Sequence, residues 1–271
     1  AVLSYFARWF SPFQVLSTCH LWFQPQKGPL KQRVMVGLEK RLYRRFPRVV
    51  GVSEEIRAEV LKYGVDPSVV VVVPNGVPLP KDSSRAADRR RVRGELGLSD
   101  DDFVIVNAGR LSRQKAQWSV IDATGELRGS SRRVVTLILG QGRLETDLRK
   151  RIEVGGHSEA VRLLGFREDV ASILAAADAF LLPSLDEGMP MALLEAVAAR
   201  VPVIVSAVGD VPKLVEDELS GLIVPPADPG ASAAAVMQLM KDPALGRRLA
   251  DNAFEGLRAK YSVEAMYEAY A

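Results

Sequence analysis

The stretch Ala179 to Glu195 reads A-F-L-L-P-S-L-D-E-G-M-P-M-A-L-L-E and holds a strand, a loop and a helix start in one turn of chain. Ala179–Leu182 is a short run apolar on both faces, as a parallel strand covered by helices should be. Pro190 lacks an N–H and has a pre-set φ, so it is expected at the first position of a helix continuing through Met191, Ala192, Leu193, Leu194, Glu195 and Ala196. Glu187 then sits in the loop with Gly188 and Met189, and Glu195 lies in the second helical turn. The free N–H groups of such a helix start, with the positive end of the dipole behind them, favour a phosphate or diphosphate. Gly188 lets backbone approach that ligand closely. The two carboxylates accept hydrogen bonds from hydroxyls, so a phosphate flanked by polyol groups satisfies every part. A nucleotide sugar has that form.

Working outward, Phe103–Asn107, Val134–Leu139, Val161–Leu164, Val203–Val205 and Leu222–Val224 read as further strands, each followed by helical periodicity. The alternation predicts a doubly wound, Rossmann-like α/β domain. Gly140, Ser184 and the loop 187–190 fall at the carboxyl ends of these strands, where ligands bind in open parallel sheets. Before Phe103, Val15–Thr18, Val49–Val52 and Val69–Val73 read as three more strands, with helices near 31–46 and 53–63. That is the latter part of a second α/β domain. Lys81–Asp102, dense in charge, reads as a linker followed by an exposed helix, and Asp242–Lys260 as another helix.

Composition bounds the function. The 271 residues, 48% hydrophobic and 25% charged, allow a substantial core and two domains. Cys19 is the one cysteine, which excludes an internal disulfide framework and a cysteine metal cluster and fits a reducing compartment. The longest apolar runs, Val69–Val73 and Ala175–Pro183, are too short to span a bilayer. The opening A-V-L-S-Y-F-A-R-W-F lacks the features of a signal peptide, and its first residue is Ala, so the chain is expected to be an incomplete copy. A net charge of +3 with 7% aromatics gives no reason to expect nucleic-acid binding. Between Lys31 and Arg48, seven basic residues interleave with apolar ones as a basic amphipathic helix. The plain reading is a solvated helix face; the sharper one is attraction to anionic lipid headgroups at the inner face of a membrane.

The stretch Glu187–Glu195 resembles the E-x7-E motif of retaining GT-B glycosyltransferases, in particular the family 4-like group. The likeness covers nearly the whole chain. V-V-G-V-S-E (49–54), P-N-G-V (74–77), A-G-R-L (108–111) with Lys115, G-Q-G (140–142), A-A-A-D-A-F-L-L-P-S (175–184), P-V-I-V-S (202–206) and S-G-L-I-V-P-P (220–226) follow the family's order. The resemblance implies two Rossmann-like domains with a central cleft, the N-terminal one incomplete by on the order of a hundred residues. It divides the chain into 1–79 on the acceptor side, 80–258 for the nucleotide sugar, and a helix over 259–271 crossing back. It further implies that Glu187 contacts the transferred sugar, Glu195 holds the ribose, and Arg110 and Lys115 bind the diphosphate.

Each assignment has a plainer rival. Arg110 and Lys115 could be surface cations in a turn, and Glu195 an ordinary helix glutamate, although an isolated carboxylate in M-A-L-L-E-A-V-A-A needs a partner if buried. His20 stands where the family has a His near acceptor and sugar; a lone His is more often structural. Gly140 and Gly142 could shape a nucleotide pocket or simply a tight turn, and Arg167 could lie under the base or in a surface ion pair. Asp100–Asp102 precedes a strand and reads as an exposed acidic turn, so no metal is expected. Ala116 and Arg200 replace glycines of the family pattern. The implied function is transfer of a hexose from a nucleoside diphosphate sugar to a hydroxyl acceptor, a sugar or lipid-linked glycan, in polysaccharide or glycolipid synthesis. A nucleotide-sugar epimerase, a phosphorylase or a non-catalytic binding subunit are the rivals.

Overall fold

Each apolar run forms a parallel strand. The computed structural model describes residues 16–19, 37, 41–80 and 82–270, and the chain divides into two compact units, Ala1–Asn75 with Met266–Ala271 and Gly76–Ala265. In the first unit, β1 (Leu16–Cys19), β2 (Arg48–Gly51) and β3 (Val70–Val72) pair in that order. Helix α1 (Glu54–Lys62) begins at Ser53, whose hydroxyl accepts the Ile56 N–H at 3.2 Å, a cap worth about 1 kcal/mol. Leu42, Tyr43 and Phe46 are buried with Val49, Val60, Val65 and Val70, while Arg41, Arg44, Arg45 and Arg48 are exposed. The amphipathic segment 31–48 is described only at 37 and 41–48, and there its apolar side is spent on the unit's own core. His20 lies outside the described residues.

The second unit holds six parallel strands in the order β6-β5-β4-β7-β8-β9: β4 (Phe103–Ala108), β5 (Val134–Leu139), β6 (Val161–Gly165), β7 (Ala179–Leu182), β8 (Val203–Ser206) and β9 (Leu222–Val224). Every residue of β4, β5, β7 and β8 is buried. Successive residues enter opposite layers, as pleating requires. Val104, Val106, Val135, Leu137, Phe180 and Leu182 pack in one core, and Ile105, Val134, Ile138, Leu181 and Ile204 in the other. Helices α2 (Asp82–Glu95), α5 (Val170–Ala176) and α6 (Met191–Ala198) supply the first layer. Helices α3 (Gln117–Glu126), α4 (Glu145–Val154) and α7 (Pro229–Lys241) supply the second. Helix α8 (Pro243–Lys260) contributes to both, and α9 (Val263–Tyr270) follows it. The winding reverses between β4 and β7, so the unit is doubly wound with its switch point there.

Helix α2 is less exposed than its charge suggests. Val92 is fully buried, and Arg93 has 2% of its side chain exposed. The Arg89 and Arg93 guanidinium groups donate to the last carbonyls of α5 and to Asp178, each 2.7 Å from a carboxylate oxygen. Burial pulls the Arg93 pKa down, against the opposing pull of Asp178. Asp178 also exchanges two bonds with Val104: its N–H donates to the Val104 carbonyl and its carboxylate accepts the Val104 N–H, both at 2.8 Å. Among the described residues, no helix is long and apolar enough to cross a membrane.

Removing the Asp178 carboxylate strands a buried guanidinium. Asp178→Ala is expected to lower stability by about 3–5 kcal/mol, read as a fall in urea midpoint. Arg149→Ala, which deletes the exposed pair with Glu145, is expected to change it by less than about 0.5 kcal/mol. Similar losses in the two variants would contradict the assigned role of Asp178.

Candidate functional site

The loops leaving β4 and β7 meet at the switch point because no crossover helix separates them. After β4 the chain passes Gly109 and Arg110 into a short 3-10 turn, Arg113–Lys115, closed by Ala116 at φ 51°. This is the left-handed region that favours glycine. The β7 loop is tied to that turn by the Leu185 N–H donating to the Gln114 carbonyl and the Gln114 side-chain amide donating to the Asp186 carbonyl, both at 2.8 Å. The clasp brings two predicted site residues together. Lys115 Nζ lies 2.6 and 2.8 Å from the two carboxylate oxygens of Glu187.

Glu187 is buried, and two serines hold it from below. The Ser184 hydroxyl donates to Glu187 Oε1 at 2.6 Å, and the Ser206 hydroxyl donates to the Ser184 carbonyl, also at 2.6 Å. Both serines are essentially inaccessible. Gly209, at φ 55°, closes the same loop from β8: a Cβ there would stand 1.6 Å from the Glu187 carbonyl oxygen. Sequence reading places Ser184 at a strand end but assigns no role to it, to Ser206 or to Gly209. The signal available is that both serines terminate apolar runs on adjacent strands.

Pro190 is one position earlier than expected. It is the N-cap, with φ −73° and ψ 122°, and α6 starts at Met191. Proline fixes φ alone, and the extended ψ lets the chain enter from the loop while the Pro190 carbonyl accepts the Leu193 and Leu194 N–H groups. A proline cap has no side-chain acceptor. Whereas Ser53, Asp228 and Asp242 cap their helices with side-chain oxygens, the Met191 and Ala192 N–H groups have no partner among the described residues. Gly188 is exposed, and a Cβ there would meet open space. Met191 is exposed and Met189 and Ala192 half-buried, so the helix entrance is accessible.

Glu195 is one turn further on, and its side chain leans toward this entrance as helical side chains do. It is half-buried without a hydrogen-bond or ionic partner among the described residues, and burial alone raises its pKa. Arg110 is exposed and likewise unpartnered among the described residues, while its carbonyl is fixed by the Gln117 side-chain amide at 3.0 Å. Among the described residues, the unit therefore gathers an unpaired cation, an unpaired half-buried carboxylate and two unpaired amides at one end of its sheet.

Gly140 and Gly142 belong to this end for a different reason. Cβ atoms there would stand 2.0 Å from the Gly109 carbonyl oxygen and 2.2 Å from that of Leu111, so the two glycines let the β5 loop seat against the loop carrying Arg110. Arg167 is committed elsewhere: it pairs with Asp169 at 2.7 Å and Glu95 at 3.1 Å, and these carboxylates raise its pKa. Its neighbour Phe166, 65% exposed after β6, is an aromatic at the same end of the sheet that the sequence reading passed over. Asp102 departs from the expected exposed turn; it is buried, paired with Arg133 at 2.5 Å and bonded to the Ser99 N–H. Among the described residues no cluster of three or more His, Cys, Asp or Glu is placed to hold a metal.

Residues 88–256 match the family Glycosyl transferases group 1, and residues 1–81 match Glycosyltransferase Family 4. The chain is 34% identical over 187 residues to the alpha-D-kanosaminyltransferase of Streptomyces kanamyceticus, covering 68% of this chain and 48% of that one. It is 34% identical over 184 residues to an Escherichia coli UDP-Gal:alpha-D-GlcNAc-diphosphoundecaprenol alpha-1,3-galactosyltransferase, covering 67% and 48%. The chain thus spans about half the length of the curated relatives it matches. The crystal structure of Anabaena Alr3699/HepE in complex with UDP and glucose superposes with a TM-score of 0.82 at 21% identity, over 99% of this chain and 73% of that one. The fold is that of GT-B glycosyltransferases.

Glu195 gives the unliganded protein a signed pH dependence. Its folded pKa is raised, so the proton it retains favours the folded state below the unfolded carboxylate range. That contribution is lost as pH rises through the folded pKa. Glu195→Gln is therefore expected to raise the thermal midpoint at pH 7, with the difference vanishing below about pH 4. Midpoints scanned across pH check this; a lower midpoint for the variant at pH 7 would mean that Glu195 has a stabilising partner.

Proposed function

The chain belongs to the family Glycosyl transferases group 1, and from that premise we propose that it binds a nucleoside diphosphate sugar at the β4–β7 switch point and transfers the hexose, with retention, to a hydroxyl acceptor. The observation that carries this reading is Glu195, a half-buried carboxylate that, like the two helix N–H groups beside it, has no partner among the described residues. Vicinal ribose hydroxyls would satisfy it, with the diphosphate at the Met191 and Ala192 amides. Arg110 and Lys115 supply the charge that a departing diphosphate needs. Uracil is the proposed base, following the names of the UDP-Gal-dependent relative and the UDP-bound structure. Gly188, Met189 and Pro190 give the donor its approach.

In the proposed reaction the bond from the anomeric carbon to the diphosphate oxygen breaks, and a bond to the acceptor oxygen forms on the same face. The acceptor proton passes to the departing phosphate oxygen. Glu187 acts as an anchor for the sugar hydroxyls rather than as a covalent nucleophile, because Lys115 and Ser184 already hold its carboxylate. Donor binding places the diphosphate and Glu187 in competition for Lys115, while the Ser184 hydrogen bond keeps Glu187 in position. Arg110, Lys115 and the helix start together do the work a divalent cation does elsewhere, so the transfer is proposed to be metal-independent. The acceptor is proposed to be a sugar or lipid-linked glycan in polysaccharide or glycolipid synthesis. A cytoplasmic enzyme held peripherally at an anionic membrane surface fits the exposed Arg41, Arg44, Arg45 and Arg48; with Leu42, Tyr43 and Phe46 buried, that attraction would be electrostatic.

Calorimetric titration of UDP and GDP into the chain tests this reading. UDP is expected to bind more tightly than GDP. Glu195→Ala and Arg110→Ala are each expected to weaken UDP about tenfold, the loss of one charge-assisted hydrogen bond. Failure of a demonstrably folded protein to bind either nucleotide would remove the donor site from this crevice.

A further inference from the structure

The opposite end of the same sheet carries a second recess, away from every residue assigned to the donor site. A cavity of 640 Å³ opens where Phe103, Asp178 and Pro202 lead into β4, β7 and β8, with α2, α7 and α8 as its walls. That volume is in the range of small-molecule sites. Its floor is apolar, built from Phe103, Pro202 and Leu239, while its rim is strongly cationic. Arg85, Arg89, Arg132, Arg200 and Arg247 line it against two carboxylates, Asp178 and Asp251. The excess of positive charge is therefore concentrated over an apolar base.

Four of these guanidinium groups are held in place. Arg85 donates to the Arg200 carbonyl at 3.0 Å, and Arg89 is fixed by Asp178 and the end of α5. Arg132 lies 5.6 Å over the Phe103 ring centre while donating to the carbonyls of the 100–102 turn. Arg200 lies 3.8 Å over the Phe254 ring and pairs with Asp251 at 2.7 Å. The fifth, Arg247, is exposed on α8 and has no partner among the described residues. Arg200 closes α6 in left-handed backbone, φ 52°, with its N–H donating to the Val197 carbonyl and the Val201 N–H to the Ala196 carbonyl, so its side chain leaves a fixed helix end at the rim of the recess.

We propose that this basin is a second binding site, for a small phosphate ester. Arg247 grips the phosphate with the electropositive rim behind it, and an apolar or planar body lies on Phe103, Pro202 and Leu239. The proposal does not depend on the donor reading. The site touches both α2 and the entry to β7, so an occupant would brace the end of the sheet remote from Glu187.

Phenyl phosphate is the probe, titrated calorimetrically into the chain and into Arg247→Ala and Arg110→Ala variants, both of exposed residues. A parallel arm uses phosphatidylcholine vesicles with and without phosphatidic acid, which carries the same phosphate monoester on a lipid. Saturable binding that survives Arg110→Ala and weakens about tenfold in Arg247→Ala supports the site. The arm that shows it identifies the source as a soluble ester or a headgroup. Absence of Arg247-dependent binding in both arms, or loss of binding in Arg110→Ala, overturns it.

Discussion

The pairing of β4 with β7 is the constraint on which the second unit depends. Ile105 lies opposite Ala179 and Val106 opposite Phe180, joining two halves of a sheet wound in opposite directions. At the amino end of this pair, Asp178 binds Val104 through both backbone and side chain and collects Arg89 and Arg93. In the interior, the Asn107 amide donates to the Leu181 carbonyl at 2.7 Å. Beyond the carboxyl end, Lys115 meets Glu187. One strand pair is thus fastened by polar groups along its whole length, in a sheet whose other contacts are largely apolar. The carboxyl end is open because of the reversal, and the loops that fill it carry charge.

What those loops hold in place differs from what they leave free. Lys115, Glu187, Ser184 and Ser206 form a mutually satisfied chain, buried at Glu187 and both serines and half-buried at Lys115, and breaking such a pair by removing one member is costly. Arg110, Glu195 and the first amides of α6 are unsatisfied among the described residues. Ser53, Asp228 and Asp242 cap α1, α7 and α8 with side-chain oxygens, and the proline entry to α6 forgoes such a cap, worth about 1 kcal/mol of helix stability. Unsatisfied groups beside a rigid, satisfied frame are what a pre-organised anion site requires, because at Arg110, Glu195 and the first amides of α6 a ligand replaces water, and only at Lys115 does it compete with a protein partner.

Strand positions were legible because burial on both faces removes polar residues from them. Val134–Leu139, Ala179–Leu182 and Leu222–Val224 are the observed limits. The carboxyl-end location of the 187–190 loop followed from the same pattern. Pairings between distant residues were not legible. Lys115 and Glu187 are 72 residues apart, as are Glu95 and Arg167, and no local spacing announces either bond. The burial of Arg93 and Asp102 was hidden for a related reason: their partners, Asp178 and Arg133, come from other elements. Pro190 was misplaced by one residue because proline chemistry constrains φ and leaves ψ to the preceding loop.

Two departures from the family pattern acquire a common physical meaning in the structure. Ala116 and Arg200, the positions at which glycine is replaced, both adopt left-handed backbone, at 51° and 52°. Ala116 closes the turn that carries Lys115 and starts α3, and its methyl group is completely buried. Its strain, on the order of 1 kcal/mol, is set against that burial and against the chain entropy a glycine would add to the unfolded state. Arg200 lies two residues past the end of α6, and the same strain is set against a cation–π contact with Phe254 and the pair with Asp251. The two strained residues stand at opposite ends of the switch-point strands, one behind the Lys115–Glu187 bond and one at the rim of the arginine basin. A glycine at either place would relax the backbone and remove a side chain that its surroundings use.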